Sequence, residues 1–231
     1  MEIIGLILGV IGLFGLPSIT WFVKERVILY WYGHLGSEES LRNRVVEVIS
    51  RRASPFPEPQ NVGTYSPVQA AWFIDFLSAV TDLNDRVVLE KCLTRWIFIS
   101  LKRLGRDPTD VDRVAVPKLG NILLADMVAR RLRRPVLIVR QEPSAHNRPG
   151  RFFEGEYKAG EKLILIDDIS SDAEFLIRCV NQLKSVNLDV VGVLSLVDRT
   201  EGHCRERLTS SNVNFAPLLA MNDAAIESVS K

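Results

Sequence analysis

Asp167 and Asp168 stand side by side after the apolar run Leu163-Ile164-Leu165-Ile166 and shortly before an amphipathic stretch from Ala173 to Leu183. Four consecutive apolar residues predict a strand buried on both faces, and the spacing after Ala173 predicts a helix leaving it. Two carboxylates at such a switch are suited to holding a ligand or a metal ion, and they could equally cap the helix that follows. The intervening loop, Ser170-Ser171-Asp172-Ala173-Glu174, adds two more acids. Ser171 and Glu174 have capping-box spacing and Asp172 complements the helix dipole, so the loop reads as a well-capped helix start.

Several further segments must position these acids. Arg113 to Val116 reads as a strand, Pro117-Lys118-Leu119-Gly120-Asn121 as a turn, and the following residues to Leu132 as a helix. Pro135 to Arg140 is the next strand, followed by a loop, 141–150, that contains His146 and Arg148. Asp189 to Val197 reads as a strand ending in Asp198-Arg199-Thr200-Glu201-Gly202, and Asn214-Phe215-Ala216-Pro217 as a short last strand before a helix. This alternation predicts an α/β domain built on a parallel sheet. Arg130, Arg131, Arg133 and Arg134 could bind phosphate or acidic lipid, or simply favour a helix C-terminus from a solvated face. Arg199 could form an ion pair with Asp198 or Glu201.

The N-terminal part is different material. Residues 3–23 carry no charge, and 21 residues of helix come to about 31 Å, enough to cross a bilayer's hydrocarbon layer. We expect residues 1–23 to form a single transmembrane anchor, 24–53 a juxtamembrane helical region, and 54–231 the α/β domain. Lys24 and Arg26 follow the span, so the positive-inside rule places the soluble part in the cytoplasm. Gly5 and Gly9 either reflect span composition or let two helices approach. Ser37 to Arg52 reads as a capped amphipathic helix, and the prolines of Ser54-Pro55-Phe56-Pro57-Glu58-Pro59 as an extended linker. A helix is expected from Ser66-Pro67 towards Val80 and another from Asn84 to Leu104, with Tyr65, Trp96 and Phe98 as core aromatics rather than a ligand box. A net charge of +1 gives no reason to invoke nucleic acid, and Cys92, Cys179 and Cys204 have no metal-ligand spacing.

The run from Leu163 to Ile169 resembles the hallmark of the type I phosphoribosyltransferases, and several other segments resemble the orotate phosphoribosyltransferases among them. The resemblance implies a Rossmann-like parallel-sheet domain, phosphoribosyl pyrophosphate (PRPP) as ligand, and Mg²⁺ if catalysis survives. It implies that Asp167 and Asp168 hold the ribose hydroxyls and, indirectly, the metal. Ser170 and Ser171 fall in the loop that wraps the 5-phosphate, although the family's Thr- and Gly-rich sequence is replaced here by an acidic one. Pro117, Lys118 and Gly120 fall in the pyrophosphate turn. Arg140 and His146 match a loop that closes over the site, often of a neighbouring subunit, whereas two family lysines appear as Gln141 and Ser144. Val197-Asp198-Arg199-Thr200-Glu201-Gly202 matches the segment whose arginine holds the base. The resemblance therefore implies a nucleotide or ribose-phosphate ligand and is compatible with a homodimer, the oligomeric state being left open by the sequence. Catalysis is expected to be reduced, altered or absent; an active Mg²⁺-dependent transferase acting on a pyrimidine-like base and a non-catalytic membrane scaffold are the alternatives.

Overall fold

The computed structural model describes residues 37–61, 68–143 and 152–231. The expected membrane span, Tyr65, Ser66-Pro67, His146 and Arg148 lie outside the described residues. Among those described, no helix is long and apolar enough to cross a membrane.

Helix α1 (Glu38–Arg52) begins where the sequence signals it. Ser37 is its N-cap, with Oγ accepting from the Ser40 N–H at 3.2 Å, and Glu38 and Glu39 occupy the first turn. Leu41, Val45, Val48 and Ile49 form its buried stripe. Arg51 and Arg52 close the helix by gripping the buried carboxylate of Asp85 at 2.6 and 2.7 Å, which ties it to the helix that starts at Leu83.

The proline-rich segment is extended, as its fixed φ angles require, but it is no free linker. It forms strand β1 (Ala53–Asn61), which pairs antiparallel with β2 (Gln69–Ile74). The helix expected from Ser66 to Val80 is thus corrected over its described part. Residues 69–74 form backbone hydrogen bonds to β1, and helix begins only at α2 (Phe76–Thr81), where Asp75 accepts from the Ser78 N–H at 2.9 Å. Pairing with a neighbouring strand has overridden local helical spacing. Helix α3 (Leu83–Arg103) lies where expected, and Trp96 is buried in the core with its indole N–H donating to the Ala216 carbonyl at 3.1 Å.

The remainder alternates strand and helix: β3 (Arg113–Val116), α4 (Ile122–Leu132), β4 (Val136–Val139), β5 (Phe153–Glu154), β6 (Lys162–Ser170), α5 (Ala173–Ser185), β7 (Asp189–Arg199), α6 (Cys204–Ser210), β8 (Phe215–Met221) and α7 (Asp223–Ser230). The sheet order is β5-β4-β3-β6-β7-β8, parallel except for the short edge strand β5. Leu163 through Ile166 are fully buried, as a strand covered on both faces demands. Leu163 and Leu165 pack with Leu176, Cys179, Val180 and Leu183 of α5 in one core. Strand β6 does not stop at the two acids. It continues to Ser170 because the long β7 offers backbone partners throughout, pairing Asp167 with Ser195 and Ser170 with Asp198.

Candidate functional site

β3 and β6 are parallel neighbours, so the turn after β3 meets the acidic end of β6. Pro117 ends β3, since it offers no N–H to continue the ladder, and a single 3₁₀ turn, Leu119–Asn121, leads into α4. This turn delivers two donors to the acid pair. Lys118 Nζ lies 3.3 Å from Asp168 Oδ1 and 3.8 Å from Asp167 Oδ1. Asn121 Nδ2 donates to the same two oxygens, at 2.6 Å to Asp167 and 2.9 Å to Asp168. Asp168 Oδ1 also accepts from the Ile169 N–H at 2.8 Å.

The charges respond to these surroundings. Burial pushes the Asp167 carboxyl up to about 7, with Lys118 opposing and Asp168 reinforcing the rise. Asp167, and then Asp168, hold the Lys118 ammonium above its ordinary value. The Lys118 side chain is 40% exposed, so its ammonium spans the acids and solvent. Gly120 is exposed with open space around its Cβ position, and its φ is not positive, so neither packing nor strain demands glycine there.

The loop after β6 is occupied by the chain itself. Asp172, rather than the expected Ser171, is the N-cap of α5: the helix begins one residue later than the capping box required, so Asp172 Oδ1 accepts from the Glu174 N–H at 2.7 Å. Arg207 of α6 then reaches back, placing Nη1 2.6 Å from Asp172 Oδ1 and Nη2 3.2 Å from Glu174 Oε2. Ser170 is buried, and Ser171 lies so close to Gly202 that a Cβ there would overlap the Ser171 carbonyl oxygen.

Two expected ligand residues are engaged elsewhere. Arg140, at the end of β4, pairs with Glu154 of β5 at 2.7 Å. Arg199 is 2% exposed; its Nη1 donates to the Trp72 carbonyl at 2.7 Å and its Nη2 pairs with Asp223. Asp223 in turn accepts from the Ala71 N–H at 2.6 Å, so this arginine fastens β2 and α7 to β7. Neither ion pair anticipated from sequence forms at Arg199. Strand alternation sends Asp198 to the other face, and Glu201 accepts from the Asp223 N–H at 2.7 Å.

Comparison with known proteins fits this architecture. No family model matches the sequence. The orotate phosphoribosyltransferase of Pyrococcus horikoshii is 31% identical over 155 residues, covering 67% of this chain and 78% of that protein. The chain belongs to the orotate phosphoribosyltransferase family. The orotate phosphoribosyltransferase of Aeropyrum pernix has a similar fold, with a TM-score of 0.61 at 22% identity over 80% of this chain and 97% of that one. So does the Mycobacterium tuberculosis orotate phosphoribosyltransferase solved with PRPP, with a TM-score of 0.55 at 18% identity over 83% and 95% of the two chains.

Within this orotate phosphoribosyltransferase-like domain, the structure brings together Lys118, Asp167 and Asp168 of the residues singled out in the sequence. Gly120 lies on the same turn. Ser171, Arg140 and Arg199 have the separate contacts described above, and Ser170 is buried at the end of β6. Sequence reading missed Asn121 and Arg207, which carry no motif of their own. Their only signal was a polar residue ending the pyrophosphate-like turn and a cation in the helix after β7.

The acid pair does not fit direct Mg²⁺ coordination. Mg²⁺ requires oxygen ligands in a close octahedral shell, whereas Oδ1 of each acid already faces an ammonium and an amide N–H. Among the described residues no group of three or more His, Cys, Asp or Glu side chains could hold a metal ion.

Proposed function

We propose that this chain is a membrane-anchored, orotate phosphoribosyltransferase-like protein that binds a nucleotide or ribose-phosphate ligand at Lys118, Asp167 and Asp168, with reduced or altered catalysis. Residues 1–23 would be the anchor and the sheet domain would face the cytoplasm. Family membership and the acid pair at the end of a central parallel strand support the ligand class, since ligands of open α/β sheets bind beyond the carboxyl ends of the strands. The observation that carries altered catalysis is the filled N-terminus of α5. A helix start that could receive a phosphate already holds the Asp172 carboxylate, locked by Arg207.

The test is titration of the full chain in detergent with PRPP and Mg²⁺, alongside an assay of orotate consumption. The expected result is micromolar PRPP binding, lost in Asp168→Asn, with orotate turnover at least about two decades below that of the Pyrococcus relative, the loss typical of one missing charge-stabilising contact. Turnover matching the relative would overturn altered catalysis. No binding by a folded protein would remove the ligand.

A further inference from the structure

The acid pair carries its own counter-charge. Asp167 and Asp168 bring two carboxyl groups to one place, and ionising both requires a compensating partner. The turn ahead of α4 supplies it twice over, through the Lys118 ammonium at 3.3 and 3.8 Å and the Asn121 amide at 2.6 and 2.9 Å. Asn121 is buried and turns an N–H donor towards both acids, where a metal ion would need an oxygen.

We propose that Lys118 is the resident cation of this site, taking the place of a divalent metal at Asp167 and Asp168. A dication coordinated by Asp168 Oδ1 at about 2.1 Å would sit at most about 5.4 Å from the ammonium, which lies 3.3 Å from that oxygen, and be repelled by it. An ammonium has three donors, and the partial exposure of Lys118 leaves its outer side open to an incoming oxyanion. The site thus takes an anionic ligand whose oxygens reach the ammonium, and it does so without Mg²⁺. This ligand assignment rests on the function proposed above; the resident-cation assignment does not.

The experiment is an electron paramagnetic resonance titration of the detergent-solubilised full chain with Mn²⁺ alone. It compares the unmodified protein with Lys118→Ala, Lys118→Gln and the double variant Lys118→Ala/Asp168→Asn, each checked for folding by circular dichroism. Removing the ammonium is expected to tighten Mn²⁺ binding by at least about tenfold in both single variants, and the double variant is expected to lose the gain. Unmodified protein that binds Mn²⁺ as tightly as Lys118→Ala would overturn the proposal, as would single variants that gain nothing.

A PRPP titration of the unmodified protein in EDTA and in Mg²⁺ follows. Equal affinities are expected. An affinity that collapses in EDTA would overturn metal-free binding. Absence of PRPP binding under both conditions would sink the ligand reading, while the manganese result would still decide which cation the site holds.

Discussion

Arg207 and Asp172 close the start of α5 together: the guanidinium Nη1 stands 2.6 Å from a carboxylate oxygen that is simultaneously the helix cap. The Asp172 side chain is 5% exposed, so its charge depends on this partner and on the helix N-terminus. The pair turns an acidic loop, which electrostatics alone would splay, into a fixed junction between α5 and α6.

Arg207→Ala should therefore destabilise the protein. Because Arg207 is itself 42% exposed, screening trims the effect to about 1–2 kcal/mol at neutral pH. Urea unfolding measures it. Asp172→Asn, which keeps a good N-cap, should lose less than Asp172→Ala. Equal losses for those two variants would show that the cap contributes nothing.

Replacing Asp172 and Glu174 together by glycine should release Arg207 and open the first N–H groups of α5. Inorganic phosphate should then bind at least about tenfold more tightly than to the unmodified protein, because a helix N-terminus with a free arginine suits an anion. Calorimetry reads the change. Unchanged phosphate affinity would mean that the acids are not what keeps anions away.

Gly202→Ala tests the close approach of the turn after β7 to the β6 loop. The added methyl would overlap the Ser171 carbonyl oxygen, and backbone at that spot can yield only by pulling the two loops apart. A loss of about 3 kcal/mol or more in thermal or urea unfolding is expected. A variant within about 0.5 kcal/mol of the parent would refute the contact.

Asp198 should make stability depend on pH. It is buried, its Oδ1 has no hydrogen-bond partner among the described residues, and burial pushes its carboxyl up to about 6, with Arg205 opposing and Glu206 and Glu201 reinforcing the rise. A carboxyl raised above its unfolded value of about 3.9 is most favourable to the fold when protonated. That contribution is complete below pH ~4 and is lost as pH rises through about 6. Asp198→Asn should thus leave stability near pH 4 little changed and raise it above pH 7 by about 1–3 kcal/mol relative to the parent. Denaturation curves at pH 4, 6 and 8 check this, and a variant that gains nothing at pH 8 would contradict it.

Local sequence signals were enough for the strands and helices whose environment is uniform along their length. Leu163 to Ile166 reads as a strand covered on both sides, and α1 announces itself through apolar spacing and its cap, since these signals are local. The sequence also set the order of segments that resembles the orotate phosphoribosyltransferases, and with it the identity of the acid pair. Tertiary structure decided what each charged residue does. Residues 69–74 became a strand only because β1 lies alongside, and Arg199 found Asp223 rather than its sequence neighbours because β7 turns adjacent side chains to opposite faces. Asn121 meets Asp167 across 46 residues, and Arg207 meets Asp172 across 35. Such partners are chosen by where separate strands and helices end in space, and no local pattern records that.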